Sequence, residues 1–360
     1  MASGGLCRFA ADLPTVERFV SLGEGDTPCI ELSVLAKRLG LRRLSAKMES
    51  QNPTGSYKDR IAAMSLSLAL QHGHPGWIGT SSGNAGLSMA AYGTRAGMSG
   101  FLCMVATAPQ EKRLALLPYA VEVVSIDGVG REGTARVATA LMEQVRLAAE
   151  QQNLFLGITA HAFNPSGMRG VDTIGYELAE QTPDATHVYV PTGGGGLLSA
   201  IARGLLHRDM PAKVIACQPS GCAPIVAFLD GTSDAPAMSR CDSDISALQL
   251  PHPPDGTLAA TAVETSGGWG TAPDDAAILE AQRLLAKTEG VFVEPASAAS
   301  LAAVFHDVDR GRLQPTDRPV LVLTGAGWKD LARFEADDAR VPLITVDDVA
   351  SRVDKWCSSL

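Results

Sequence analysis

Apolar positions along the chain alternate between short continuous runs, as in buried strands, and longer stretches with helical spacing. From about residue 75 the alternation is compact. Strands are predicted over 77–79, 100–106 and 121–126, with helices over 84–95, 112–117 and 133–149 between and after them. Before this block the pattern predicts an irregular opening segment over 1–28, a helix over 32–39, a strand over 44–49 and a helix beginning at Lys58, capped by Thr54 or Ser56. After it come a helix over 171–180, strands over 187–191 and 214–218, and a polar stretch over 230–260 read as loop with local helix. Helices over 275–288 and 296–305, a strand-like 291–292 and a strand over 319–323 complete the pattern. Repeated strand–helix alternation predicts an α/β fold with parallel sheets. The expected division is a discontinuous large domain, 1–69 with 158–345, a small domain inserted over 70–157, and a tail over 346–360.

Three of the predicted turns carry unusual chemistry. The strand over 187–191 runs into Thr192 and four successive glycines, Gly193, Gly194, Gly195 and Gly196. A glycine turn opening onto a helix exposes backbone N–H groups at the positive helix end, which suits a phosphate. A turn without a ligand gains nothing from four glycines. The stretch Thr80, Ser81, Ser82, Gly83, Asn84, Ala85, Gly86 has the same form and could hold a carboxylate. Third, Lys58 lies in the run Asn-Pro-Thr-Gly-Ser-Tyr-Lys-Asp-Arg, residues 52–60, at the head of an apolar helix. A lysine with several anion nests is what an enzyme needs to hold pyridoxal phosphate as a Schiff base. Gly128, Gly130 and Gly133 also fit a dinucleotide fingerprint, but mid-block rather than in a first strand–helix unit, which weighs against NAD or FAD.

The net charge of −9 argues against general nucleic-acid binding. The seven cysteines contain no C-x-x-C pair and the seven histidines no ligand spacing, so free thiols and no metal centre are expected. A basic-then-apolar leader and an apolar run long enough to span a membrane are both missing, so a cytoplasmic location is expected.

Taken together, residues from about 21 to 330 resemble the fold-type II pyridoxal-phosphate enzymes, and among them the threonine synthases. The matching stretches are Gly-Glu-Gly-Asp-Thr-Pro at 23–28, the lysine run at 52–60, the 81–86 loop, the glycines at 193–196, Glu-Pro-Ala-Ser-Ala at 294–298 and Thr-Gly-Ala-Gly-Trp-Lys-Asp at 324–330. The resemblance implies a tryptophan synthase β-subunit-like fold with the active site between two parallel-sheet domains, a homodimer, and pyridoxal 5′-phosphate as cofactor. It implies that Lys58 is the cofactor lysine and catalytic base. Asn84 would face the 3′ oxygen, Gly193 through Gly196 the phosphate, and Thr324 the pyridine nitrogen. Thr80, Ser81, Ser82, Gly83, Asn84 and Ala85, with Arg169 and Lys329, would receive a small amino-acid substrate. The implied reaction is elimination and water addition, from O-phospho-L-homoserine to L-threonine and phosphate.

One segment departs from the pattern. Where threonine synthases carry basic residues for the substrate phosphate, this chain has Gly167 and Asp172. Either Arg169 and Lys329 take over, or the substrate has no phosphate. A serine/threonine dehydratase or a β-replacement enzyme is the alternative.

Overall fold

The computed structural model describes residues 4–81, 83–106, 108, 110–127, 135–334 and 341–358. The glycines at 128, 130 and 133, and Ser82, lie outside the described residues. Contacts divide the chain into two compact units, Met1–Lys329 and Asp330–Leu360. Both sheets belong to the first. The second carries the helix Val349–Cys357, which is exposed along its length.

The strands are β1 (Cys29–Glu31), β2 (Ser45–Lys47), β3 (Gly76–Thr80), β4 (Ser99–Val105), β5 (Val121–Ile126), β6 (Phe155–Leu156), β7 (His187–Pro191), β8 (Lys213–Cys217), β9 (Gly270–Thr271) and β10 (Pro319–Val322). A six-stranded sheet has the order β1-β2-β10-β7-β8-β9, and a four-stranded sheet the order β5-β4-β3-β6. Every pairing is parallel except β1 with β2. Parallel strands need both faces covered, and the side-chain alternation shows it. Val188, Val190, Val320 and Val322 face one core with the helices Asp172–Gln181 and Gly196–His207. Tyr189, Leu321 and Leu323 face another with the helices Asp275–Glu289 and Pro295–Asp309.

The helix Lys58–Gln71 is shared. Asp59 through Ala69 are all buried. Ile61 packs in the core of the larger sheet, while Met64 and Leu66 pack with Trp77, Met89 and Leu102 of the smaller one. Burial on every face, polar positions included, marks a helix enclosed by its neighbours. Neither Thr54 nor Ser56 caps it. Instead Asp59, in its first turn, reaches back to accept the Thr54 N–H at 2.6 Å and the Thr54 hydroxyl, along with the Ser88 hydroxyl at 2.6 Å.

Beside that turn lies a buried ionic cluster. Arg60, wholly buried, donates to Glu49 at 2.7 and 2.8 Å and to Glu177 at 2.6 and 2.8 Å, and Lys47 also pairs with Glu177. Two cations and two carboxylates balance, and Thr27, Asn52 and the Asp26 N–H take remaining lone pairs. The stretch 23–28 is therefore a clamp on the lysine loop. Its Glu24 is buried and accepts from Tyr92, Ser21 and the Leu22 N–H.

Other elements differ from expectation. Residues 291–292 form no strand; only Val293 bridges to Ala326, because Pro295 starts a helix at once. The polar stretch does hold the local helix expected of it, Gly256–Thr265, carried by Ala259, Ala260 and Val263, while the helix Pro224–Leu229 just before it was not foreseen. Two cysteines expected to be free, Cys222 and Cys241, form a disulfide, since the Asp242 N–H bonds to the Gly221 carbonyl at 2.7 Å and brings the segments together.

Replacing Arg60 by Ala leaves two carboxylates buried against one lysine. It should cost about 3–5 kcal/mol in chemical denaturation. The pH dependence has a definite sign. Burial opposes ionisation of Glu177, but Arg60 and Lys47 outweigh it and hold the carboxyl at about 2 instead of 4.5. Its contribution is intact above pH 4.5 and lost as the pH falls toward 2. Unfolding midpoints measured across that window should drop in the native protein.

Candidate active site

Three backbone segments meet where β10 ends. The Tyr57 N–H donates to the Thr324 carbonyl at 3.1 Å and the Ala326 N–H to the Gly55 carbonyl at 2.9 Å, while the Glu294 N–H donates to the Gly325 carbonyl at 3.0 Å. This ladder brings the lysine turn, the Thr324 loop and the start of the helix Pro295–Asp309 side by side.

Lys58 is the first residue of its helix. Its Nζ donates to Thr159 Oγ1 at 2.8 Å and lies 4.8 Å from the centre of the Tyr57 ring. Thr159 follows β6 closely, so it arrives from the edge of the smaller sheet.

Asn84 begins the helix Asn84–Ala96, directly after Ser81 and Gly83. Its Nδ2 donates to both Glu294 carboxylate oxygens at 3.1 and 3.0 Å, and its Oδ1 accepts from Lys329 Nζ at 2.9 Å. Glu294 also accepts from Thr324 Oγ1 at 3.3 Å, and Thr324 shares a 2.8 Å bond with Ser297. One carboxylate thus joins Asn84 to Thr324. Burial pushes the Lys329 ammonium down to about 8, against the pull of Glu294 and Asp59 and with the help of Lys112. Lys112 Nζ stands 3.9 Å from where a Cβ on Gly83 would sit.

In the loop itself, the Ser81 hydroxyl accepts the Gly83 N–H at 3.2 Å. The Thr80 hydroxyl contacts Met142 Sδ at 3.7 Å, on the helix side of β3. Ala85 is half-buried in the first helical turn.

The glycine turn between β7 and the helix Gly196–His207 has the geometry of an anion nest. Among the described residues, no carbonyl or side chain accepts from the N–H groups of Gly193, Gly194, Gly195, Gly196 or Leu197. Gly195 has φ +93°, and a Cβ there would lie 2.5 Å from the Asp255 carbonyl oxygen. The Asp255 carboxylate accepts the N–H groups of His161 and Ala162 at 2.7 and 2.9 Å. The nest is thereby tied to the segment that carries Thr159.

Arg169 keeps other company. Its guanidinium pairs with Asp172 at 2.6 Å and donates to the Asp12 carbonyl at 3.2 Å. Asp172 is wholly buried and also pairs with Arg203. None of these partners belongs to the loops around Lys58 or Asn84. Thr159, Asp255 and Ser297 were not singled out from the sequence. Glu294 and Ser297 stood in a recognised stretch without a role, while a lone threonine after a two-residue strand gives no signal.

Residues 20–325 match the family model described as pyridoxal-phosphate dependent enzyme. The chain is 32% identical over 343 residues to the threonine synthase of Methanocaldococcus jannaschii, covering 91% of this chain and 81% of that one. It is 33% identical to the threonine synthase of a Bacillus species, covering 92% and 91%. Among solved structures, maize serine racemase superposes with a TM-score of 0.74 at 20% identity, covering 87% and 92%. O-ureido-L-serine synthase superposes at 0.66 and 23%, covering 90% and 96%. This chain belongs to the pyridoxal-phosphate dependent enzyme family, in its threonine synthase-like branch, and pyridoxal 5′-phosphate is its cofactor.

Proposed function

We propose that this enzyme is a threonine synthase, converting O-phospho-L-homoserine to L-threonine and phosphate by elimination and water addition. The observation that carries the reading is Lys58 at the head of a helix buried from Asp59 through Ala69, beside an amide and a hydroxyl joined through Glu294. The identity to threonine synthases over nine-tenths of the chain supports it.

The residues fit the cofactor. Five N–H groups that meet no protein acceptor among the described residues suit its phosphate at Gly193, Gly194, Gly195, Gly196 and Leu197. Asn84 would donate to its ring oxygen, and the Thr324 hydroxyl would face its ring nitrogen as a neutral partner. When bound, the cofactor supplies an electron sink for the carbon bearing the substrate amine. Lys58 Nζ takes the proton from that carbon and returns one later, with Thr159 and the Tyr57 ring holding its amine. Thr80, Ser81, Ser82, Gly83 and Ala85 receive the substrate carboxylate, and Lys329 the charge of the leaving phosphate. A homodimer in the cytoplasm, with the 70–157 block as its substrate-side domain, belongs to the same reading.

The engagement of Arg169 by Asp172 and Asp12 favours a second reading, in which the substrate has no phosphate and the enzyme deaminates or substitutes a hydroxy amino acid. Purified protein with pyridoxal phosphate and O-phospho-L-homoserine separates the two. Equal phosphate and threonine release supports the synthase. Ammonia and an oxo acid from serine or threonine, with no phosphate release, overturns it in favour of the dehydratase.

Two variants test the residue roles. Lys58→Ala should lose the visible cofactor band and on the order of 10³-fold or more in kcat. Gly195→Ala meets both the positive φ and the Asp255 carbonyl. It should weaken cofactor binding roughly tenfold or more, measured by titration of the apoprotein.

A further inference from the structure

A side-chain amide has a donor end and an acceptor end of nearly the same shape, so its partners decide which way it faces. Asn84 has partners that permit one orientation. Lys329 can only donate while it is charged, and it meets Oδ1 at 2.9 Å. The Glu294 carboxylate can only accept, and it meets Nδ2 at 3.1 and 3.0 Å. Turning the amide over would set its NH₂ against an ammonium and its oxygen against a carboxylate.

Both charged groups are built into the site. Each is 7% exposed. The Lys329 stem crosses Gly55, where a Cβ would lie 3.0 Å from Lys329 Cε, and Gly55 has φ +79°. The Glu294 carboxylate crosses Gly325, where a Cβ would lie 2.2 Å from Oε1. Two glycines thus make room for the two side chains that face Asn84.

We propose that Lys329 and Glu294 are positioning residues that lock the Asn84 amide, so that while Lys329 is charged the end it offers to the cofactor's ring oxygen is the donor. This rests on the reading that Asn84 faces that oxygen. The groups facing Lys329 are Glu294, Asp59, Lys112 and the Asn84 amide itself. Because its ammonium is held at about 8, the lock loosens as the pH rises through that value, where a neutral amine can accept as well as donate. Donation to the ring oxygen sets how its proton is shared, and the absorption band of bound cofactor reports this without turnover.

The experiment compares the absorption spectrum and cofactor affinity of wild type, Lys329→Arg, Lys329→Met and Glu294→Gln between pH 6 and 10 (roughly the span over which a lysine held near 8 titrates). Folding of each is checked by denaturation. Wild type should show a band change with its midpoint near 8. Lys329→Arg should hold the low-pH spectrum throughout. Lys329→Met and Glu294→Gln should show an altered band at every pH and bind cofactor about three- to tenfold more weakly. Wild-type spectra in both Lys329→Met and Glu294→Gln, or a wild-type band that is flat with pH, would overturn the lock while leaving the cofactor site intact. Uptake of no chromophore by wild type, as by Lys58→Ala, would sink both the lock and the reading beneath it.

Discussion

Everything at the site depends on a charge balance kept two residues beyond the lysine. Arg60 has no access to water and is neutralised by Glu49 and Glu177, which come from different parts of the chain. Burying a guanidinium is tolerable only when its hydrogen bonds are all met. Meeting them forces the segment after β2, the 23–28 turn and the helix Asp172–Gln181 into one arrangement. Once that arrangement exists, the first turn of the helix Lys58–Gln71 has nowhere else to go. Lys58 is placed by its neighbours' electrostatics more than by its own contacts.

The second organising feature is the division of labour between main chain and side chain. Main-chain hydrogen bonds bring the lysine turn alongside Thr324 and Glu294. Side chains then reach outward from that ladder to the smaller sheet. Glu294 and Lys329 meet Asn84, Asp59 meets Ser88, and Lys58 meets Thr159. The two sides of the site are therefore joined by polar contacts that a ligand can compete for.

Much of this was legible in the sequence because the signals were local. Strand–helix alternation gave the parallel sheets, with 121–126 and 187–191 matching β5 and β7 to the residue. The glycine turn read as an anion nest because glycine next to a helix start has few other uses, and among the described residues its N–H groups meet no protein acceptor. The disposition of charges was not legible. Arg169 looked like a substitute for a missing phosphate contact, but the residue three positions later, a buried aspartate, claims it. Asp255 and Thr159 act through partners roughly a hundred residues away, and no local pattern announces such a pairing. The stretch 23–28 was recognised by its wording, yet its physical role as a clamp follows only from where Glu49 and Glu177 lie.

The enclosed helix has one more consequence. Its side chains fill the core of the larger sheet at Ile61 and that of the smaller sheet at Met64 and Leu66. Neither sheet can lose its order without stripping one face of a helix that the other still needs. The order of the two sheets is thus coupled through this one helix. Lys58, at the head of that helix, therefore depends on both cores for its position.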